Sequence, residues 1–175
     1  MILKILETER LLLRQLSTED AEFIFRITNE PSWIRFIGDK NIRTLGDARE
    51  YIENGPMTMY REHGFGLYLV ESKDSQQALG LCGLIRRDTL DDVDIGFAFL
   101  PEFWRRGYAY EAANATLRHA STALGIERVV AITSPDNEPS GKLLEKLGLR
   151  LDRLMETDRD GKPVSLYAPA DAGGA

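Results

Sequence analysis

Apolar and polar positions alternate most cleanly between residues 93 and 100. Val93, Ile95, Phe97 and Phe99 fall on one face of an extended strand, and Asp94, Gly96 and Ala98 on the other. The first face is bulky enough for a core. The second is small, carries an acid, and leaves room for something to lie against it. Just beyond, the period lengthens to three and four. Ala109, Ala112, Ala113, Thr116, Leu117, Ala120 and Leu124 form the stripe of a helix that runs to about Leu124 and ends at Gly125. Glu111, Asn114, Arg118 and Ser121 make its polar side. Its small apolar residues suit close packing on a sheet.

The same patterns organise the rest of the chain. Residues 10 to 15 read as a short strand. Ser17-Thr18-Glu19-Asp20 reads as a capped helix start leading into Ala21–Ile27. Residues 31 to 41 read as irregular. A helix opens at Thr44-Leu45-Gly46-Asp47, runs through Ile52 toward Tyr60, and is broken near Gly55-Pro56. Residues 66–71 and 78–86 form an antiparallel hairpin. Val129-Val130-Ala131-Ile132 is a nearly continuous apolar strand. Asp136 or Asn137 caps a helix that Gly148 stops, and strands near 149–156 and 164–168 are joined by the turn Asp158-Arg159-Asp160-Gly161. Residues 168–175 are small and polar and read as a frayed tail. The expectation is one α/β domain over 1–167: a mixed, mostly antiparallel sheet of about six or seven strands, flanked by about four helices.

Composition narrows the field. At 175 residues, 43% hydrophobic and 29% charged, the chain fits one soluble domain with a sizeable core. No apolar run reaches a membrane span, and acids at Glu7 and Glu9 follow Met1 too soon for a secretory signal. A single cysteine, Cys82, allows no internal disulfide. Cytoplasm, no membrane, and a monomer or homodimer are the expectations. A net charge of −6 argues against a nucleic-acid partner. His63 and His119 begin no ligand-spaced cluster, so no metal is expected. Gly141-Lys142 is no P-loop, because Leu143 and Asp136 stand where Ser or Thr and a first glycine are required.

The chemistry concentrates where the alternating strand meets the helix, at Phe103-Trp104-Arg105-Arg106-Gly107-Tyr108-Ala109-Tyr110-Glu111-Ala112. The first N–H groups of a helix have no partner inside it and sit at the positive end of its dipole. Gly107 lets an anion approach the backbone, and Arg105 and Arg106 add charged donors. Such a site suits a phosphate. Lys142, in the second helix start, can add to a locally positive patch on an acidic body.

That stretch and Asn137-Glu138-Pro139-Ser140-Gly141-Lys142-Leu143-Leu144-Glu145-Lys146-Leu147-Gly148 together resemble the GNAT superfamily of acyl-CoA-dependent N-acyltransferases. They are most similar to the branch of ribosomal-protein N-terminal acetyltransferases and their small-substrate relatives. Gly96-Phe97, Pro101 to Trp104, Gly107 to Ala112 and the opening Glu7-Thr8-Glu9-Arg10-Leu11-Leu12-Leu13-Arg14 with Asp20 carry the likeness, which spans about residues 7 to 167. Two departures stand out. Trp104 replaces the Gln or Arg of the superfamily's phosphate signature, as in this branch, and Arg105 stands where the branch commonly has glycine.

The resemblance implies acetyl transfer from acetyl-CoA, as cosubstrate, to a primary amine through a tetrahedral intermediate. The acceptor is either a peptide N-terminus or a small amine. It implies that the strand of Asp94 and the strand of Val129 run parallel and splay apart, with pantetheine against Phe97, Ala98 and Phe99. The phosphates would then meet Trp104, Arg105, Arg106, Gly107, Tyr108, Ala109 and Lys142. Ser140 points at the sulfur to assist thiolate departure, or it only satisfies the helix end. Asn137 binds pantetheine and orders its loop, or it is a cap. Asp94 is the base, an amine-binding group, or structural with water relaying the proton. Trp33, Phe36, Tyr51 and Tyr68 are candidates for the acceptor pocket. A catalytically silent acyl-CoA sensor on the same fold is the alternative.

Overall fold

The computed structural model describes residues 3–156 and 161–170. The chain opens with a hairpin of β1 (Lys4–Glu7) and β2 (Leu11–Gln15). The Ser17 hydroxyl accepts the Glu19 N–H, and the Asp20 carboxylate accepts the Ser17 N–H at 2.9 Å, fixing a single 3₁₀ turn ahead of α1 (Ala21–Thr28). Then come α2 (Pro31–Phe36), α3 (Leu45–Ile52) and α4 (Thr58–His63). Next are the strands β3 (Leu67–Ser72), β4 (Ala78–Ile85) and β5 (Val93–Phe99), and the long helix α5 (Tyr108–Thr122). The chain continues through β6 (Val129–Thr133), α6 (Glu138–Lys146), β7 (Leu149–Glu156) and β8 (Pro163–Pro169).

The eight strands form one sheet in the order β1-β2-β3-β4-β5-β6-β8-β7. Every pairing is antiparallel except β5 with β6. The main core lies where α5 and α1 to α4 pack on this sheet, with Leu13, Ile24, Ile52, Leu69, Leu84 and Ala113 almost fully buried. Cys82 belongs to it. Its thiol lies 3.5 Å from the Thr116 hydroxyl of α5, and burial pushes it up to about 12, so it is an inert core group. Arg14, nearly buried, bonds both carboxylate oxygens of Asp20 and also Glu71, tying the β2–α1 corner to β3. No helix among the described residues is long and apolar enough to cross a membrane.

Four details differ from the sequence expectation. Among the described residues the sheet has eight strands and there are six α-helices, because β1 and the short α2 and α4 also form. Residues 31–36 are helical, with Pro31 at the first helical position, where its fixed φ is favourable and no N–H is required. Gly55-Pro56 does not break the second helix. Residues Glu53–Met57 widen into a π turn that carries Pro56 between α3 and α4 without stopping the chain. β8 extends to Pro169 with Ala168 buried, so those residues are sheet rather than tail. The turn at 157–160 and residues 171–175 lie outside the described residues.

Candidate active site

The parallel pairing of β5 and β6 consists of Val93 with Val129 and Asp94 with Val130 and goes no further. Beyond it β6 turns to β8, while β5 continues to Phe99 along β4. Leu100 N–H bonds Leu79 O on the β4 side at 3.0 Å. By strand alternation, the N–H and C=O groups of Phe97 and Phe99 point the other way, into the split. The Trp104 indole N–H bonds the Phe99 carbonyl at 2.8 Å. Of the two residues, Phe97 therefore presents both groups and Phe99 its N–H. The splayed strands expected from the resemblance are present.

The loop after β5 is built for a sharp turn into α5. Pro101–Phe103 makes one 3₁₀ turn, Trp104 is extended, and Arg105 and Gly107 adopt left-handed conformations with φ of 63° and 80°. Arg105 thus keeps the backbone shape that glycine would take more easily, at a cost of about 1 kcal/mol. Gly107 precedes the first helical bond, Glu111 N–H to Gly107 O at 3.0 Å. The N–H groups of Tyr108, Ala109 and Tyr110 come before that bond and face outward from the helix start.

A clamp from the other end of the chain holds this turn. Glu111 accepts from Thr8 Oγ1 at 2.5 Å, from Arg10 Nε at 2.8 Å and from the Arg10 N–H at 3.1 Å. Arg10 Nη1 donates to the Arg106 carbonyl at 3.0 Å, and the guanidinium lies 4.4 Å over the Tyr108 ring. A Cβ added at Gly107 would come within 3.3 Å of Arg10 Nη2, a tight contact that the side-chain tip can yield to, so it is the left-handed φ that favours glycine there. Burial pushes the Glu111 carboxyl up, but the bonds from Thr8 and Arg10 outweigh it, and it sits below the ordinary glutamate value.

α6 supplies the opposite wall. The Asn137 side-chain Oδ1 accepts the Ser140 N–H at 3.4 Å, so Asn137 is the N-cap. The Ser140 hydroxyl has no partner among the described residues. Gly141 allows the close approach of β8, because a Cβ there would stand 2.6 Å from the Tyr167 hydroxyl.

These elements enclose one cavity of about 780 Å³, within the range of small-ligand sites. Of the sequence candidates, Asp94, Phe97, Ala98, Phe99, Trp104, Arg105, Gly107, Tyr108, Ala109, Asn137, Ser140 and Lys142 all line it. Arg106 does not. Its guanidinium lies 5.8 Å from the Phe103 ring, and its carbonyl serves the Arg10 clamp. Trp33, Phe36 and Tyr51 line the far half, whereas Tyr68 is core, 1% exposed and stacked on Tyr60. Asp94 reaches the wall but does not stand on open ground. It is 1% exposed and ion-paired with Arg87 Nε at 3.0 Å, and on the same strand face the space beside Gly96 is filled by Ile85 and Leu67. Among the described residues, no group of three or more His, Cys, Asp or Glu side chains is placed to hold a metal ion.

Residues 10–150 match the acetyltransferase (GNAT) domain family. The chain belongs to the GNAT acetyltransferases. It is 31% identical to the uncharacterized N-acetyltransferase YoaA of Bacillus subtilis (strain 168) over 86% of this chain and 85% of that one. Among solved structures, an acetyltransferase of the GNAT family from Bacillus anthracis superposes with a TM-score of 0.77 at 24% identity, covering 96% of this chain and 97% of that one. RimL, a ribosomal L7/L12 α-N-protein acetyltransferase in complex with coenzyme A, superposes with a TM-score of 0.79 at 16% identity, covering 94% and 96%.

Within this GNAT domain, the sequence motifs resolve into distinct jobs. The opening Glu7–Arg14 segment is structural twice over, through Arg10 at the loop and Arg14 at the β2–α1 corner. Glu111 stood in the sequence as a polar position on α5 and as part of the Gly107–Ala112 motif, with no partner assigned to it. Its partner lies 101 residues away, and nothing in local pattern joins them. Glu30, which lines the far half of the cavity, carried no sequence signal at all.

Proposed function

We propose that this acetyltransferase moves an acetyl group from acetyl-CoA directly to a primary amine, either a peptide N-terminal α-amine or a small amine. One observation carries the reading. An unpaired strand edge, an open helix N-terminus and an unpartnered serine hydroxyl converge in one cavity. The RimL structure, with coenzyme A on the same fold, supports it.

The residues fit such a ligand in type and polarity. Phe97 and the Phe99 N–H offer amide partners along the split. The open N–H groups of α5, in a cavity that Arg105 and Lys142 also line, suit a pyrophosphate. The Arg10–Glu111 clamp keeps that turn in shape before a ligand arrives. The thioester supplies an acyl carbon already activated toward an amine. Ser140 lies in the wall with its hydroxyl open, and donates to the sulfur as thiolate character develops. Asn137 orders the helix start that carries Ser140. Asp94 is engaged by Arg87, so solvent takes the proton that the amine loses.

The test combines binding with turnover. Calorimetry should show acetyl-CoA binding, and a panel of amines and peptides should release CoA thiol. Binding without release from any acceptor would make the protein an acyl-CoA-binding sensor. No binding at millimolar concentration would overturn the reading.

A further inference from the structure

The half of the cavity away from α5 is built by α1, α2, the α3–π–α4 unit and the strands beneath them. Ile27, Trp33, Phe36, Met59, Leu84 and Ile85 give it an apolar wall. Arg87 and Asp94 neutralise each other there. Glu30 is different. Its backbone is fixed, with N–H to Ile27 O at 3.2 Å and C=O accepting from Ile34 N–H at 3.1 Å. Its carboxylate caps no helix and has no ion pair or hydrogen bond among the described residues. Of the two acids that line the cavity, Glu30 and Asp94, only Asp94 has a cationic partner among the described residues, Arg87.

One helical turn further, Trp33 is 5% exposed, and its indole N–H is buried without a partner. Buried donors are nearly always paired, and an orphan one is costly, so this N–H calls for an acceptor atom from outside the fold. Glu30 and Trp33 thus set an unpaired carboxylate beside a buried, unpaired donor in a wall that is apolar at Phe36 and Met59 and polar at Ser32, Lys40 and Tyr51. A polyamine would meet one anion and bury its further charges against Phe36 and Met59, which is unfavourable.

From this pairing, and resting on the acetyl-transfer reading above, we infer that the acceptor is a primary amine with an apolar body that carries a hydrogen-bond-accepting atom. Glu30 holds its ammonium group, and the Trp33 indole N–H meets the accepting atom. The arriving ammonium first gives one proton to solvent, and the neutral amine adds to the thioester carbon. As the tetrahedral intermediate loses its C–S bond, the nitrogen gives up its second proton to solvent and the departing sulfur takes one from solvent through Ser140, so one proton is released overall. Glu30 recognises the charged form that arrives. It need not take the proton.

The test uses the intact protein with acetyl-CoA and four acceptors: phenylalanine amide, 2-phenylethylamine, spermidine and the peptide Phe-Gly-Gly. Phenylalanine amide and the peptide carry the same chemistry from a small molecule and from a chain end, so their ratio separates the two sources. Both should exceed 2-phenylethylamine in kcat/KM, and spermidine should be poorest. Glu30→Gln should raise the acceptor KM by about 10- to 100-fold, the scale of one charged hydrogen bond, and leave acetyl-CoA affinity and kcat near parental. Glu30→Asp should recover part of that loss. Trp33→Phe should erase the preference for phenylalanine amide over 2-phenylethylamine. Spermidine as the best acceptor, or an unchanged acceptor KM in Glu30→Gln, would overturn the inference while leaving acetyl transfer intact. No CoA release with any of the four would overturn both.

Discussion

At the α5 end of the cavity, Thr8, Arg10, Glu111 and the Arg106 carbonyl are bonded to one another, and the turn they hold is fixed by two left-handed residues. At the α2 end, the Glu30 carboxylate and the Trp33 indole N–H are bonded to nothing among the described residues, and a π turn stands in the helical wall. A turn that must meet phosphates gains from being rigid before the ligand comes, since ordering it on binding would weaken affinity. A pocket that must choose among amines gains from polar groups that only the right partner satisfies, because an analogue that leaves them unpaired is rejected. Rigidity and unmet polarity thus mark the two ends of one cavity.

α6 repeats the contrast within a single turn, and it holds the largest expected effect. Ser140→Ala should lower kcat by roughly 100- to 1,000-fold, on the scale of a lost oxyanion donor, while stability stays within about 0.5 kcal/mol because the hydroxyl bonds nothing in the fold. Asn137→Ala should do the opposite, losing about 1 kcal/mol of stability as a lost cap. Single-turnover rates and melting curves on the pair read both. A parental rate in Ser140→Ala would remove the serine from the chemistry.

Next in size is the clamp. Glu111→Ala strands Arg10 and Thr8 together and should cost about 2–3 kcal/mol, seen as a melting temperature lower by roughly 4–10 °C, with a raised KM for acetyl-CoA. If stability falls but acetyl-CoA affinity does not, the clamp is only architecture.

The two arginines should then separate. Arg105 lines the cavity with its guanidinium unpartnered among the described residues, and Arg106 lies by Phe103. Arg105→Ala should weaken acetyl-CoA binding by about 10-fold, the lower end for a charged bond, and Arg106→Ala by less. Arg105→Gly should lose the same affinity yet melt no lower than Arg105→Ala, since glycine fits the left-handed turn. Titration calorimetry decides the order.

The smallest effect is one of pH. The Glu111 carboxyl is held below its ordinary value of 4.5, so its share of stability is complete above that value and fades as pH falls through the lowered one. The gap in melting temperature between parent and Glu111→Gln should therefore be widest near neutrality and close as pH falls through the lowered value. A gap that widens on acidification would contradict the bonding described.

The sequence was most readable where periodicity runs long. β5 and α5 carry seven and fifteen residues of clear pattern, and both formed as expected. α2 has six residues, too few to show a period, and its one signal was Pro31 at the start. The break expected at Gly55-Pro56 became a π turn, because flanking residues that pack on the core carry the helix through. In the site, residues that line the cavity through local motifs were legible. The bonding of Arg10 to Glu111 was not, nor was Glu30 beside Trp33, although Trp33 itself was an acceptor-pocket candidate. The first pair is joined only by the folded sheet, and the second is notable for bonds it does not make.

The junction of β5 and β6 rests on two residue pairs in an eight-stranded sheet. Mechanically, the molecule is two β-leaves, one of five strands and one of three, sharing a narrow seam. A ligand that lays amides along Phe97 and Phe99 stands in for a missing strand and stitches the leaves together. Substrate binding would then be the last step of sheet formation, and amide exchange at Phe97 and Phe99 would slow in the same event that loads the enzyme.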